Sequence, residues 1–241
     1  MKMERINVII TAGGSGLRMG SDLPKQFLLL KGRPILFWTV ELFVSLPVGV
    51  DIHIVLPPLY LDYWNELILK YNMQIPHTLV TGGLTRFHSV KEALIQIVSG
   101  SITVIHDGVR PLVSRDLILR CLELAQTHPA VIPVTEVNES MRQLEGMGSI
   151  PVDRSLYRLV QTPQLFSTDT LKKAYQQSYL PCFTDDASVV ERFGTPLLFT
   201  KGELRNIKIT TPEDLELAEL LAPPLLHSAV LNPDLAFDGL I

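Results

Sequence analysis

Short apolar or β-branched runs alternate with amphipathic stretches through most of this chain, and that alternation restricts its fold more than any other feature. Asn7 to Thr11, Asp51 to Leu56, Thr78 to Thr81, Ile102 to His106 and Ala130 to Val134 read as strands. Between them, Pro34 to Leu46, Tyr60 to Tyr71, Thr85 to Val98 and Ser114 to Thr127 repeat apolar side chains every three or four residues, the period of a helix with one buried face. Pro34 suits the first turn of its helix. Strands joined through helices run parallel, so the expected class is α/β, with a Rossmann-like, mostly parallel sheet and helices on both faces. Ligands of such sheets gather beyond the C-terminal ends of the strands.

The first strand ends in the most distinctive segment. Val8-Ile9-Ile10 passes into Thr11-Ala12-Gly13-Gly14-Ser15-Gly16-Leu17-Arg18-Met19-Gly20, and Pro24-Lys25-Gln26 follows. Clustered glycines let backbone N–H groups approach an anion, while Arg18 and Lys25 bring two cations to the same place. A nucleoside triphosphate fits that chemistry. The Walker signature is absent, and Gly20 falls one residue late for a dinucleotide fingerprint, with Arg18 inside the loop. A dehydrogenase also needs an acid ending its second strand, whereas Ile52 to Leu56 ends in Pro57-Pro58.

Two further loops follow strands directly, Gly82-Gly83 and Asp107-Gly108-Val109-Arg110, and both should converge with the glycine loop on one crevice. Asp107 and Arg110 also suit an internal salt bridge of that turn. His106, in an apolar strand, reads as a core histidine rather than a base. The net charge of −4 and pI of about 5.9 argue against a nucleic-acid partner. Cys121 and Cys182 are too few and too far apart for a disulfide framework or a zinc site, and both are expected to be reduced and structural. Met1 to Arg5 leads straight into a core strand and no apolar run is long enough to span a bilayer, so a cytoplasmic protein without membrane contact is expected. The 241 residues suffice for a single domain.

The pattern changes between about residues 135 and 157, where two polar strand-like segments flank Gly146-Met147-Gly148. An isolated hairpin is marginal in water, so this arm should lie against its own body or another subunit, and a homodimer with interlocked arms is expected. Helices should follow at Thr168 to Tyr179 and Asp185 to Phe193, then strands at Pro196 to Thr200 and Arg205 to Thr210. Thr211-Pro212-Glu213-Asp214 opens a last helix with a capping hydroxyl, proline at the first position and acids at the positive dipole end. A proline-punctuated tail of about residues 223–241 closes the chain without an assigned role.

Taken together, these residues resemble the cytidylyltransferases that act on sugar-alcohol phosphates, most closely the 2-C-methyl-D-erythritol 4-phosphate cytidylyltransferases of isoprenoid precursor synthesis. The resemblance covers nearly the whole chain. It rests on Ala12 to Met19, Pro24-Lys25-Gln26, Gly82-Gly83 with Arg86 and Ser89, and His106 to Pro111 in the first half. Val152-Asp153-Arg154, Gln161-Thr162-Pro163-Gln164, Thr184 to Ser188 and Asn206 to Thr210 carry it through the second.

The resemblance implies CTP wrapped by the backbone of Ala12, Gly13, Gly14 and Gly16, with Arg18 and Lys25 stabilising the transition state. Gly83 and Ser89 would recognise the base. Asp107 would sit near Mg²⁺ and the triphosphate on the turn that includes Gly108. Arg154 and Lys208, supported by Arg110, Ser140 and Thr184, would hold the methylerythritol phosphate, with Ser140 and Arg154 reaching the partner's site across the exchanged arm. Leu84 stands where the family often has an acid, and Ser140 replaces a usual threonine.

Such a reaction abstracts no proton, because the attacking phosphate oxygen is already ionised. Its barrier is repulsion between two polyanions plus misalignment, and cations with positioning answer both. A polyol phosphate such as ribitol 5-phosphate is the alternative acceptor, disfavoured by Thr184-Asp185-Asp186-Ala187-Ser188. A regulatory nucleotide-binding module is the alternative of another class, disfavoured by Arg18 and Lys25 occurring together with basic residues on the acceptor side.

Overall fold

The computed structural model describes residues 6–14 and 23–224. Its first half holds β1 (Ile6–Thr11), a short hairpin of β2 (Leu29–Leu30) and β3 (Arg33–Pro34), α1 (Ile35–Val44), β4 (Val50–Leu56), α2 (Leu61–Lys70), β5 (Thr78–Thr81), α3 (Arg86–Ile95), β6 (Ile102–Asp107) and α4 (Arg115–Ala125). The second half holds β7 (Ala130–Glu136), β8 (Met141–Glu145), β9 (Gly148–Val152), β10 (Arg158–Val160), β11 (Gln164–Ser167), α5 (Thr168–Ala174), α6 (Asp186–Arg192), β12 (Leu198–Lys201) and α7 (Pro212–Leu221).

β1 lies in the interior of the sheet, parallel to both β4 and β6, and β5 extends the parallel part beyond β4. On the other side β11 runs antiparallel between β6 and β7, while β12 pairs parallel with the opposite edge of β7. β10 lies along the same side of β7 as β11, registered on Val134 to Glu136. The α/β class and the five strands expected from the alternation are observed, each within a residue or two of its expected limits. β10 and β11 were not foreseen, since the polar Gln161-Thr162-Pro163-Gln164 between them masks their periodicity.

Successive strand residues face opposite layers, which explains why these runs are apolar throughout rather than alternating. Val8 and Ile10 of β1 enter one buried cluster with Phe37 of α1, Trp64 of α2 and Leu117 of α4. Ile9 enters the other, with Phe87 and Val90 of α3, Leu171 of α5 and Val190 of α6. Each such fully buried side chain contributes roughly 1.5 to 3 kcal/mol. A smaller cluster joins Ile35, Val109, Ile209 and Ala218, and so seats α7 against the turn that follows β6.

Helix starts follow local chemistry. Thr85 and Ser114 cap α3 and α4, each side chain accepting from a backbone N–H in the first turn. Asp185 with Ser188, and Thr211 with Asp214, form capping boxes at α6 and α7.

Several sequence expectations are corrected. Arg205 to Thr210 is not a strand: only Ile209 N donates laterally, to Val109 O, and the segment is otherwise tied down by side chains such as Asn206, whose Nδ2 donates to Thr162 O at 2.8 Å. α5 stops at Ala174, short of Tyr179, and Gln177 Nε2 beyond it donates to Ala174 O and Val189 O. Pro34 precedes α1 as its cap instead of entering the first turn. Cys121 is buried as expected, with burial pushing its thiol up to about 12, but Cys182 is exposed and has no core role. β8 and β9 form the antiparallel hairpin read as an arm, with Leu144 and Met147 exposed at its end. Among the described residues no helix is long and apolar enough to cross a membrane.

Candidate functional site

The C-terminal ends of β1, β4, β5 and β6 open on a crevice of about 350 Å³, the size class of small-molecule sites. Its floor is Ala12, Gly13 and Gly14; Lys25 and Gln26 close one side, and Gly83 with Ser89 the other. Lys25 and Gln26 are buried in a short 3₁₀ turn held by Gln26 Nε2, which donates to Ala12 O at 2.6 Å. A methyl group at Gly14 would stand 3.5 Å from Lys25 Cε, so the lysine stem passes directly over the glycine. The fold therefore brings Lys25 to the loop that precedes it. Gly16 and Arg18 lie outside the described residues.

Opposite, Gly83 N donates to Ser89 Oγ at 3.1 Å, which folds the Gly82-Gly83 turn onto the first turn of α3. A Cβ at Gly83 would meet His88 Cβ at 2.5 Å, so close an approach that only glycine fits. Leu84 projects into solvent at 98% exposure on the rim of the crevice.

β6 delivers the charged centre. Asp107 is buried, and its Oδ2 accepts from Arg110 Nε at 3.3 Å and lies 3.0 Å from Lys208 Nζ, while Arg86 Nε stands 3.8 Å from Oδ1. Burial works against the charged carboxylate, but Arg86, Lys208 and Arg110 together hold it far below the ordinary range. Asp107 is therefore ionised at any working pH. Its turn is fixed from behind. Asp107 N donates to Thr162 Oγ1 at 3.0 Å, that hydroxyl donates to His106 Nδ1 at 3.2 Å, and His106 Nε2 donates to Arg110 O at 3.1 Å. His106 is fully buried and satisfied on both nitrogens, the core histidine that the sequence suggested. Gly108 packs so tightly that a Cβ would meet Leu36 Cδ1 at 2.9 Å.

A second crevice, of about 400 Å³, opens beside the first. Arg110, Gln161, Thr162, Thr184 and Ser188 line it, and it shares Arg86, Asp107 and Lys208 with its neighbour. Thr184 is presented by the capping box of α6, where Gln164 Nε2 donates to Asp185 Oδ2 at 2.8 Å. The internal Asp107–Arg110 pair thus lies on a turn that lines both crevices.

Of the residues singled out in the sequence, Ala12, Gly13, Gly14, Lys25, Gly83, Ser89, Asp107, Arg110, Thr184 and Lys208 line these two crevices, with Gly108 beneath them. Ser140 and Arg154 do not. Both are exposed on the segments that flank the β8–β9 hairpin, and Arg154 Nη1 donates to Asn138 O. Arg86, Gln161 and Asn206 received no role from the sequence. Their signal was only their place inside motifs, and their partners lie far along the chain.

Among the described residues no group of three His, Cys, Asp or Glu side chains is arranged to hold a metal. Asp107 offers a single ionised carboxylate whose Oδ1 has no cation closer than 3.8 Å among those residues. That suits Mg²⁺, which is commonly carried on substrate phosphates with one or two protein carboxylates.

The model of the family described as 2-C-methyl-D-erythritol 4-phosphate cytidylyltransferase matches residues 6–222. A protein of that name from Bacteroides thetaiotaomicron is 49% identical over 215 residues, covering 89% of this chain and 98% of the relative. Its counterpart in Phocaeicola vulgatus is 50% identical, with the same coverage of 89% and 98%. The crystal structure of 2-C-methyl-D-erythritol 4-phosphate cytidylyltransferase from Thermus thermophilus superimposes with a TM-score of 0.71 at 33% identity, covering 92% of this chain and 98% of that one.

Proposed function

As the chain belongs to the 2-C-methyl-D-erythritol 4-phosphate cytidylyltransferase family, we infer that it transfers the cytidylyl group of CTP to 2-C-methyl-D-erythritol 4-phosphate. The products are 4-diphosphocytidyl-2-C-methyl-D-erythritol and pyrophosphate. The observation that carries this reading is the seam between the two crevices, where Asp107 and Lys208 border both. One crevice has the glycine floor and lysine of a triphosphate site, and the other has the cations and hydroxyls of a polyol phosphate site.

In the transfer, a phosphate oxygen of the acceptor bonds to the α-phosphorus of CTP. The bond from that phosphorus to the bridging oxygen breaks, and pyrophosphate departs with the electron pair. No side chain takes a proton. Lys25 and Arg18 offset the growing charge on the leaving group, the glycine N–H groups orient the triphosphate, and Gly83 with Ser89 receives the base. Lys208 and Arg110 hold the acceptor phosphate, and Thr184 bonds its hydroxyls. Asp107 is the residue that would hold Mg²⁺, which when bound neutralises phosphate charge.

The exchanged arm completes the proposal. Ser140 and Arg154 stand away from their own chain's crevices, and Leu156, Leu159 and Phe199 expose 79, 55 and 53% of their surface along and beside the β10 and β12 edge. A second copy covering that edge would bury these side chains and bring Ser140 and Arg154 to the neighbouring acceptor site, making the enzyme a homodimer. With two free thiols, Cys121 and Cys182, the enzyme belongs in the reducing cytoplasm.

Pyrophosphate release tests the reading. It is expected to require CTP, Mg²⁺ and 2-C-methyl-D-erythritol 4-phosphate together. Equal or faster release with ribitol 5-phosphate would move the assignment to polyol phosphates, and CTP binding without any release would reduce the protein to a nucleotide-binding module.

A further inference from the structure

Arg86 stands in the first turn of α3, at the seam of the two crevices. Its Nη2 donates to Asp186 Oδ2 at 2.6 Å, and Tyr175 donates its hydroxyl to Asp186 Oδ1, also at 2.6 Å. Asp186 is fully buried and Tyr175 nearly so, yet 29% of the Arg86 side chain remains exposed. A buried carboxylate engaged on both oxygens thus grips one edge of a guanidinium whose remainder forms crevice wall. On the open side Asp107 Oδ1 lies 3.8 Å from Nε, farther than a hydrogen bond reaches. Burial opposes the charge on Arg86, but the carboxylates of Asp186 and Asp107 outweigh it and keep the guanidinium protonated. An ion pair that only joined α3 to α6 would gain nothing from presenting its cation to both substrate crevices.

We propose that Arg86 is a further catalytic residue: a rigid fork that binds phosphate oxygens at the seam and keeps the attacking and departing oxygens in line, with Asp186 and Tyr175 as the positioning residues that aim it. This inference rests on the transferase reading above. Guanidinium geometry matches two phosphate oxygens at once, which a lysine in the same place cannot do. Arg86 exchanges no proton; its contribution is orientation and charge at the moment the α-phosphorus changes partners.

Removing Arg86 alone would strand a buried carboxylate and endanger the fold, so the test variant combines Arg86→Gln with Asp186→Asn and removes both charges together. The double variant is expected to melt near the wild type and to bind CTP, by calorimetry without acceptor, within about threefold, while kcat falls about 100-fold or more. A purely structural role predicts the reverse, a lowered melting temperature with near-normal kcat in the folded fraction. Turnover within about threefold of wild type, or a loss confined to CTP affinity, overturns the proposal. Should the double variant not fold, Arg86→Lys keeps the charge without the fork and is expected to lose at least about tenfold in kcat. Wild-type kcat in that variant, or failure of both to fold, makes Arg86 structural and ends the proposal. Wild-type protein that releases no pyrophosphate condemns the transferase reading itself, whereas active wild type with undiminished variants condemns only the role of Arg86.

Discussion

Lys208 Nζ sits 3.0 Å from Asp107 Oδ2, although the two residues come from opposite halves of the chain. The contact makes one unit of the acid that ends β6 and the base that precedes α7. Lys208→Ala should leave Asp107 ionised through Arg86 and Arg110, so the protein is expected to fold and bind CTP. Turnover should fall about 100-fold or more, the usual cost of losing one preorganised charge contact. Steady-state kinetics with calorimetric CTP binding checks this, and unchanged turnover would leave Lys208 only its ion pair with Asp107.

Lys25→Ala should likewise cost about 100-fold to 1,000-fold in turnover. Lys25 is buried, with its stem passing over Gly14. A near-normal rate would remove it from the mechanism.

The exchanged arm is checked by mixing subunits. Lys25→Ala and Arg154→Ala chains, each inactive alone, should regain partial activity when co-refolded, because one mixed site would receive both intact residues. Mixed dimers without any recovery would show that Arg154 serves no neighbouring site.

Much of this arrangement can be read from the sequence, and the part that cannot has a common cause. The strand before the glycine loop, Lys25, the Asp107-Arg110 turn and the capping boxes at Asp185 and Thr211 are local patterns. They depend on neighbours a few residues away. β11 is different, for its place between β6 and β7 comes from pairing across the fold, and four residues of Gln164-Leu165-Phe166-Ser167 carry no period of their own. Arg205 to Thr210 misleads in the opposite sense. Its Ile207 and Ile209 suggest a strand, but both pack beside Val109 without a ladder. Arg86 was visible only as a motif letter, since Asp186 and Tyr175 are its partners through tertiary structure.

His106 predicts how acid acts on stability. Burial lowers its pKa from 6.5 to about 4, so the unfolded chain takes up a proton that the folded chain refuses. Stability from this group is complete above about pH 6.5 and is lost as the pH falls toward 4, by up to roughly 3 kcal/mol. Urea denaturation at pH 7 and pH 5 should show a loss of about 2 kcal/mol that is smaller in His106→Gln. An identical loss in the two proteins would place the acid sensitivity elsewhere, for instance at His53, whose pKa burial also lowers.

Gly83→Ala should strike binding more than folding. The added methyl would meet His88 Cβ at 2.5 Å, forcing the turn off Ser89. CTP affinity is expected to drop about tenfold or more while the melting temperature shifts by only a few degrees, since the turn lies at the rim rather than in the core. Unaltered affinity would detach Gly83 from base recognition.

The long span between Asp107 and Lys208 also bears on when the protein becomes an enzyme. The strands β1, β4 and β6, which carry Ala12 and Asp107 to the crevice, are synthesised well before the lysine that faces Asp107. Catalytic competence is therefore among the last properties acquired during synthesis.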